Sequence, residues 1–326
     1  MKVALLHDRK PDQFSPIAPE DEFEEYDSPE TVHAIAHALG ATLNLTVEPL
    51  VNGRDLPQRL DGGRFDFVFN IAEGSGRRCR EAIPAAVCEL LGIPYTGSDP
   101  LTLAATLDKA IARRIVYPDV PVARATTLET ELHTLTYPII VKPNDEGSSK
   151  GIRLSSYCAD ISAARRQASW LKEFYGCPIL FEEWLPGPEV TVAVGGNGAM
   201  SRILSMMEIS PSIPVSGGVF LYSLEVKRAY RDRVTYRVPP ALPGGTQNTL
   251  ARQALTAYRL LGCRDIARLD FRLDAGGQPH FLECNPLPGL NPDSGDLVIA
   301  TRASMSYEQL IGGIMTDAAA RYGITL

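Results

Sequence analysis

Residues 267–285 constrain the fold of this chain more than any other stretch. Two runs of alternating polar and apolar residues flank Gly276-Gly277, which is typical of a β-hairpin with a two-residue loop. Because side chains alternate across a strand, that loop fixes which residues share a face. The predicted polar face consists of Arg268, Asp270, Arg272, Glu283 and Asn285. The predicted apolar face consists of Leu269, Phe271, Leu273, Leu282 and Cys284.

The polar face brings two carboxylates together, since Asp270 lies opposite Glu283 in this register. Arg268 lies opposite Asn285 in the same way. Facing carboxylates repel each other unless a positive charge lies between them. Oxygen ligands suit Mg²⁺, which binds a few protein oxygens together with nucleotide phosphates. The hairpin therefore predicts a magnesium site. The alternative is a solvent-facing network of Arg–Glu ion pairs. A shift of one residue in the register would separate these polar groups.

Two other stretches carry residue types that bind nucleotides. A buried strand predicted at 138–142 ends at Lys142, and the loop 146–151 contains glycines, serines and a second lysine. Such a turn can bind phosphate through N–H, hydroxyl and ammonium groups, although a plain hairpin turn is the alternative. Glu182 and Glu189 flank a Pro/Gly turn. They can bind a ribose beside an apolar slot for adenine. The alternative is an ordinary hairpin in which both glutamates face solvent.

Two loops at strand ends are further candidates. The Pro-rich loop 285–296 leaves the predicted metal strand, and its N–H groups can bind a developing oxyanion. The loop after the strand 65–70 contains Arg77, Arg78 and Arg80 at the start of a helix. These arginines can bind an anionic group such as a carboxylate, or the loop is simply solvated.

The whole chain predicts an α/β protein with three lobes at 1–97, 98–182 and 183–326. Strands and helices alternate in the first lobe, which indicates a parallel sheet with helices on its faces. No GxGxxG follows the first strand and no GxxxxGK[ST] occurs, so dinucleotide and P-loop folds are disfavoured. Helices are predicted from Ser28 to Gly40 and over 80–91, about 100–115, about 159–174, about 246–261 and 307–321.

The composition excludes several classes of partner. The chain has 39 Asp+Glu against 32 Lys+Arg, and this acidic balance argues against a nucleic-acid or anionic-membrane surface. No apolar run approaches the roughly 18 residues that span a bilayer, and the N-terminus does not resemble a signal peptide. Six scattered cysteines without a CxxC fit reduced thiols. We therefore expect a cytoplasmic protein with neither nucleic-acid nor membrane partners.

These stretches, in this order, resemble the ATP-grasp superfamily and specifically the D-alanine–D-alanine ligase family. The resemblance is carried by Ile93–Pro100 with Asp108-Lys109, Val141–Pro143 with Glu146–Ser149, Glu182–Glu189, Arg268–Asp270 and Glu283–Gly289. It implies an ATP-grasp fold in which an N-terminal α/β lobe joins two α+β lobes that enclose ATP. It also implies an ADP-forming carboxylate–amine ligase that uses ATP and two Mg²⁺ ions, or Mn²⁺, on small amino-acid and carboxylate substrates. Members of the family often form homodimers.

The resemblance further implies roles for individual residues. Those expected to bind ATP are Lys109, Lys142, Glu146, Ser148 and Ser149 at the phosphates, Glu182, Glu183 and Leu185 at the adenine, and Glu189 at the ribose. Those expected to bind metal are Asp270, Glu283 and Asn285. Those expected to act in catalysis are Arg268, the Gly289 N–H, Ser148, and Lys227 in a loop at 217–233. Those expected to contact substrate are Asn70, Arg80, Arg228 and Ser294.

The substrate-binding part departs from the family pattern. The usual Gly-Gly-x-Ser loop is His7–Lys10 here, and the usual His-Gly is Asn70-Ile71. The acids near the family's amine-binding Glu align ambiguously; they are Glu24, Glu25, Asp27 and Glu30. The closing loop has Arg228 after Lys227 where the family often has Tyr beside the Lys.

These departures favour a substrate other than D-alanine, and the arginines at 77, 78, 80 and 228 suggest a larger or more anionic one. The main hypothesis is a ligase of a specialised pathway, as mycosporine-type amino-acid ligases of this family are. A genuine D-alanine–D-alanine ligase, a kinase of a small carboxylate and a nucleotide-binding module without ligase activity are the alternatives.

Overall fold

Three β-sheets carry the fold of the described residues, which are 1–10, 19–76, 78–213 and 218–326 of this computed structural model. The strands are β1 (Lys2–His7), β2 (Thr46–Val51), β3 (Phe67–Asn70), β4 (Ala125–Thr126), β5 (Ile139–Pro143), β6 (Tyr157–Cys158), β7 (Ile179–Glu183), β8 (Glu189–Gly195), β9 (Arg202–Pro211), β10 (Val234–Arg237), β11 (Ile266–Leu273) and β12 (Pro279–Asn285). The helices are α1 (Pro29–Leu43), α2 (Leu56–Gly63), α3 (Ala82–Leu91), α4 (Pro100–Leu107), α5 (Lys109–Val116), α6 (Ile161–Tyr175), α7 (Leu224–Arg228), α8 (Tyr230–Arg233), α9 (Gly244–Leu260), α10 (Asp296–Thr301) and α11 (Tyr307–Arg321). Within the described ranges, no helix is long and apolar enough to cross a membrane.

The N-terminal sheet is parallel, as predicted, with the order β2-β1-β3. Helix α1 begins where the sequence predicts, because the Ser28 side chain accepts a hydrogen bond from the Thr31 N–H. The predicted end at Gly40 is wrong: the helix continues to Leu43, which packs against the N-terminal core, and Asn44 in a left-handed conformation ends it. Helix α11 packs against α1 and so returns the chain's end to this sheet.

The central sheet is antiparallel, with the order β4-β7-β5-β6. Helix α6 covers one face through Ala164, Ala168 and Leu171, which pack against Ile139 and Val141 of β5. The opposite face is therefore free to contribute polar side chains to a site.

The C-terminal sheet has the order β10-β9-β8-β11-β12. The single helix predicted at about 100–115 is two helices, because the Asp108 side chain accepts from the Ile111 N–H and starts α5. Ala112 and Val116 of α5 share a core with α9 and β11. Helix α5 thus packs on the C-terminal sheet, and the predicted three-lobe boundaries stay a prediction.

The hairpin of β11 and β12 has the predicted register where the polar residues lie. Arg268 pairs with Asn285, and Asp270 with Glu283. The predicted two-residue loop is wrong, however, since Asp274 N donates to Gln278 O at 2.9 Å and three residues lie between them. The register then shifts by one between Asp270 and the next residue.

A bulge at Leu282 accounts for this shift and cancels the extra loop residue. Phe281 takes the core position, where its ring lies 5.9 Å from that of Phe271. Leu282 leaves the predicted apolar face and lines a cavity instead. The polar register is correct because two local deviations compensate each other.

Candidate active site

A cavity lies between the central and C-terminal sheets, and we call it the central cavity. The residues predicted to bind ATP all line it: Lys109, Lys142, Glu146, Ser148, Ser149, Glu182, Glu183, Leu185 and Glu189. Four further predicted residues line it as well: Lys227, Arg268, Asp270 and Glu283. Segments far apart in the sequence thus meet in one place.

Other predicted residues lie outside the central cavity. Asn285 lines an adjoining cavity. Asn70 and Gly289 line a third cavity. Ser294 is exposed, and its hydroxyl donates to Asn291 Oδ1 at 3.0 Å.

Arg268 lies at the centre of the polar face of the hairpin. Its guanidinium is 2.9 Å from Asp270 Oδ2, 3.6 Å from Glu283 Oε1 and 3.4 Å from Asp296 Oδ2. Burial alone would lower the pKa of Arg268, but these three carboxylates raise it. The side chain therefore stays a cation in a site that also collects negative charge.

The two facing carboxylates have different environments. Burial raises the pKa of Asp270, although Arg268 opposes that shift and Thr191 donates to the carboxylate at 2.7 Å. Burial also opposes ionisation of Glu283, but Lys109 and Arg268 outweigh it and lower the pKa to about 2. Lys109 Nζ lies 3.2 Å from Glu283 Oε2.

This end of the cavity offers an oxygen-only donor set. Asp270 and Glu283 face each other across the hairpin, and Asn285 follows on β12 with its Oδ1 accepting from the Leu287 N–H at 2.9 Å. Across the part of the chain that is described, no three His, Cys, Asp or Glu side chains form a metal-binding group. A metal here would use two carboxylates, the Asn285 amide and ligand oxygens, and that set fits Mg²⁺.

Two lysines place positive charge in the cavity wall. Lys142 Nζ donates to Glu182 Oε2 at 2.7 Å, and Glu182 also binds Arg113. Burial would raise the pKa of Glu182, but these two cations lower it. Lys109 Nζ donates to Glu146 O at 2.5 Å. Each ammonium group is thus held by the protein at the cavity surface.

The predicted phosphate loop has a strained backbone. Ser148 and Ser149 have φ values of 49° and 59°, in the left-handed region that L-residues rarely adopt. Ser149 Oγ donates to Tyr222 O at 3.0 Å, so this loop contacts the segment that carries Lys227. Strain of this kind is typical of ligand-binding loops.

The segment predicted as a loop at 217–233 contains helices α7 and α8, because Leu224 and Val226 bury apolar side chains there. Residue 217 lies outside the described residues. Lys227 Nζ is 3.8 Å from Asp296 Oδ2 and faces the central cavity. Lys227 therefore faces the site as predicted, but from a helix and not from a loop.

Part of the cavity wall is apolar, formed by Ile140, Trp184, Leu185, Ile209, Leu221 and Leu282. The Arg272 guanidinium lies 3.9 Å from the centre of the Trp184 ring and donates to Leu185 O at 2.7 Å. It also contacts Glu189 Oε2 at 3.1 Å. Burial raises the pKa of Glu189 to about 7 although Arg272 opposes the shift. An apolar slot with a carboxylate at its edge suits a nucleoside.

Comparisons with known proteins show the family of this chain. A family model described as D-ala D-ala ligase C-terminus matches residues 113–316. The D-alanine–D-alanine ligase of Bordetella petrii is 33% identical over 264 residues, which are 79% of this chain and 77% of that protein. The chain belongs to the D-alanine–D-alanine ligase family.

Other members of the family extend the comparison. An uncharacterized protein of Sinorhizobium fredii is 32% identical over 78% of this chain and 75% of its own length. A D-alanine–D-alanine ligase of Bacillus anthracis, solved in complex with ATP, aligns with a TM-score of 0.73 over 99% of both chains at 20% identity. The VanG D-Ala:D-Ser ligase of Enterococcus faecalis aligns with a TM-score of 0.71 over 97% of this chain and 99% of its own at 19% identity. These structures confirm the predicted ATP-grasp fold.

Three charged residues of this site have no role that the sequence predicted. Arg113 lies one helical turn after Lys109, so their spacing was a usable signal. The alternation of side chains along β11 placed Arg272 on the predicted polar face, so its position near the site was predictable. Asp296 gave no signal, because only the path of the loop before α10 brings it to Arg268.

The arginines proposed to attract an anionic substrate already have partners. Those that the structure describes pair with carboxylates: Arg78 with Asp108 (3.4 Å), Arg80 with Glu25 (3.1 Å) and Glu146 (3.2 Å), and Arg228 with Glu24 (2.9 Å). Arg77 lies outside the described residues. Because their charges are already paired, these arginines no longer support the expectation of an anionic substrate.

Proposed function

We propose that this protein is an ATP-dependent ligase that joins the carboxylate of one small substrate to the amine of another, forming ADP and phosphate. The observation that carries the proposal is the polar face of Arg268, Asp270 and Glu283 in one cavity with Lys109 and Lys142. Carboxylates for a divalent cation, lysines for phosphates and an arginine for developing charge are the groups that this reaction requires.

The reaction has two chemical steps. A carboxylate oxygen of the first substrate attacks the γ-phosphorus of ATP, the bond to the β,γ-bridging oxygen breaks, and an acyl phosphate and ADP result. The amine of the second substrate then attacks the acyl carbon, and the tetrahedral intermediate loses a proton and expels phosphate to leave an amide. Water would hydrolyse the acyl phosphate, so the site must exclude it.

The nucleotide is bound by the walls of the central cavity. Lys109 and Lys142 bind its phosphate oxygens, and the strained loop at Ser148–Ser149 covers them. The apolar slot beside Trp184 accepts the adenine, and Glu189 accepts hydrogen bonds from the ribose. These roles are supported by the position of each group in one continuous wall.

The reacting centre lies at the end of this cavity. Mg²⁺ bound by Asp270, Glu283 and Asn285 would supply charge neutralisation for the transferring phosphoryl group. Arg268, held as a cation, stabilises negative charge on the acyl group, and the Gly289 N–H, on the side of the third cavity, would be the second donor. Because the reaction consumes ATP, we expect the enzyme to act in the cytoplasm.

We propose that the two substrates are not two D-alanines. The family's His-Gly is Asn70-Ile71 here, and Asn70 uses its Oδ1 to accept from the Ala72 N–H at 3.1 Å. A genuine D-alanine–D-alanine ligase with altered contacts is the second candidate, favoured by the names of the relatives. The facing pair of Asp270 and Glu283 argues against a binding module, which would need no such pair.

The test is phosphate release from Mg-ATP with D- and L-amino acids, singly and in pairs, with mass analysis of the products. The Asp270→Asn variant should lose turnover, and Glu173→Gln, on the exposed face of α6, is the matched control. We expect turnover that needs both a carboxylate and an amine. Turnover with D-alanine alone would identify a D-alanine–D-alanine ligase, and ATP binding without any turnover would leave only a binding module.

A further inference from the structure

The cavity that adjoins the central cavity and includes Asn285 contains acidic residues that phosphoryl transfer does not explain, and we call it the acidic cavity. It shares Lys109, Ser148 and Glu283 with the wall of the central cavity. It therefore lies beside the groups proposed to bind the ATP phosphates. Its wall also contains Glu73 and Glu81.

Most carboxylates around the acidic cavity have a cationic partner. These pairs are Glu25 with Arg80 (3.1 Å) and Lys150 (3.2 Å), Glu146 with Arg80 (3.2 Å) and Lys150 (2.5 Å), and Glu283 with Lys109 (3.2 Å). The positive charge contributed by these side chains is thus already matched by carboxylates.

Glu73 and Glu81 differ from these carboxylates. The cations that act on Glu81 are Arg80 and Lys109, and among the residues that the structure describes both form their ion pairs with other carboxylates. Glu81 is only 7% exposed and lines the cavity. A buried carboxylate without a partner is costly, and a cation that enters beside it removes that cost.

The electrostatics agree with this geometry. Burial raises the pKa of Glu81 to about 8, and the nearby charge of Glu25 adds to the shift although Arg80 and Lys109 oppose it. Burial and the charge of Glu81 raise the pKa of Glu73 well above its ordinary value. Both shifts arise from burial and like charge, and a cation that enters beside the pair would oppose them.

The acidic cavity adjoins the third cavity, because Glu25 and Glu73 line both. The third cavity contains Gly289, the proposed oxyanion donor, and Asp27, whose pKa burial raises to about 7. The two neighbouring cavities thus place acceptors for two separate positive charges near Gly289, one at Asp27 and one at Glu73 with Glu81.

We propose, on the basis of the ligase function above, that the substrate whose carboxylate is phosphorylated is an amino acid with a basic side chain. Glu73 and Glu81 bind the terminal ammonium or guanidinium group of that side chain. Asp27 remains available for the α-ammonium group. An apolar or acidic side chain of the same length would leave Glu73 and Glu81 unpaired, and this is the source of the specificity.

The test compares lysine, ornithine and arginine with norleucine, which has an apolar chain of similar length, each as both enantiomers. Binding is measured by calorimetry with Mg²⁺ and a non-hydrolysable ATP analogue. We expect one basic amino acid to bind at least about tenfold more tightly than norleucine, as hydrogen bonds to charged groups imply. Glu73→Gln and Glu81→Gln should each remove most of that difference, whereas Glu173→Gln should keep it.

A second measurement identifies which substrate binds there. With Mg-ATP and hydroxylamine, the basic amino acid should give its hydroxamate, because hydroxylamine attacks the acyl phosphate and releases phosphate. Binding without hydroxamate would mean that the basic amino acid is not the phosphorylated substrate, which overturns the proposal.

Other outcomes separate this proposal from the ligase function. Equal or absent binding of the basic amino acids overturns the proposal, as does competition by Mg²⁺ alone at Glu73 and Glu81. Turnover of neutral amino acids would then leave the ligase function intact. Unchanged affinity of each variant for the ATP analogue shows that the variant is folded, so a lost preference is specific to the cavity.

Discussion

The carboxylate of Glu25 accepts a hydrogen bond from the backbone N–H of Gly147 at 2.8 Å, across 122 residues of sequence. Glu25 also contacts Arg80 and Lys150, and its side chain is 6% exposed. Burial opposes its ionisation, but these two cations outweigh burial and lower its pKa. The segment before α1 is thereby fixed to the loop proposed to cover the phosphates.

The Glu25–Gly147 contact leaves no room for a side chain at Gly147, because a Cβ there would collide with Glu25 Oε1. Gly147→Ala should therefore lower the free energy of unfolding by about 1–3 kcal/mol. Glu25→Ala should lower it by about 3 kcal/mol, because Arg80 and Lys150 lose a buried partner. In a protein that already carries Glu25→Ala, the methyl group added by Gly147→Ala has space. Gly147→Ala should then lower the free energy of unfolding by less than about 0.5 kcal/mol more.

Urea unfolding of the two single variants and the double variant measures this coupling. Gly313→Ala, in α11 where an added Cβ meets no atom within 4 Å, is the control for a glycine change alone. Losses that simply add in the double variant would show that the contact is not what excludes a side chain at position 147.

Arg268 should contribute to the chemical step more than to nucleotide binding. Arg268→Lys keeps the charge but loses the guanidinium fork that reaches Asp270, Glu283 and Asp296 together. We expect kcat for phosphate release to fall by about 10²–10³-fold, with little change in the affinity for the ATP analogue. Arg259→Lys, at the end of α9, is the matched control. A kcat within threefold of the parent value would mean that Arg268 only supports the fold.

Glu189 should make nucleotide binding depend on pH. Its pKa of about 7 means that a fall in pH from 8 to 6 neutralises the carboxylate and weakens it as an acceptor for ribose hydroxyls. The dissociation constant for ATP should then rise by up to about tenfold over this range. Glu189→Gln should bind ATP less tightly at pH 8, and its dissociation constant should change little with pH. The titration of ATP itself affects the parent and the variant equally. Identical pH profiles of the two proteins would therefore exclude Glu189 as the titrating group.

The same pKa gives a stability prediction with the opposite sign. The folded-state pKa of Glu189 lies above its ordinary value, so the folded protein binds this proton more tightly than the unfolded chain does. The stabilisation is complete below the ordinary pKa of about 4.5 and is lost as the pH rises through 7. Relative to the parent, Glu189→Gln should thus gain stability between pH 5 and 8, measured by urea unfolding at each pH.

The sequence was sufficient for features that depend on local chemistry. The Ser28 cap and the alternation along β11 predicted α1 and the polar face, because each depends on neighbours in the chain. The position of Glu25 against Gly147 was not predictable, because it depends on how two distant segments pack. The partners of Arg80 also lie on distant segments, so they could not be predicted from the sequence. The acidic character of the neighbouring cavity was not predictable for the same reason.

The hairpin shows a different limit. Gly276-Gly277 indicated a two-residue loop, but Asp274 Oδ1 accepts from both Gly276 N and Gln278 N and so favours a longer turn. Only the bulge at Leu282 restores the pairing of Asp270 with Glu283. Core packing selects that bulge, since it lets Phe281 rather than Leu282 enter the core.

The bulge predicts opposite effects for two neighbouring residues. Phe281 is fully buried against Phe271, so Phe281→Ala should lower the free energy of unfolding by about 3–5 kcal/mol. Leu282 lines the apolar slot, so Leu282→Ala should cost less than about 1 kcal/mol in stability and weaken ATP binding by about 3–10-fold. Urea unfolding and calorimetry with the ATP analogue measure the two quantities. The hairpin without a bulge predicts the reverse order, so a larger loss of stability for Leu282→Ala than for Phe281→Ala would refute the observed register.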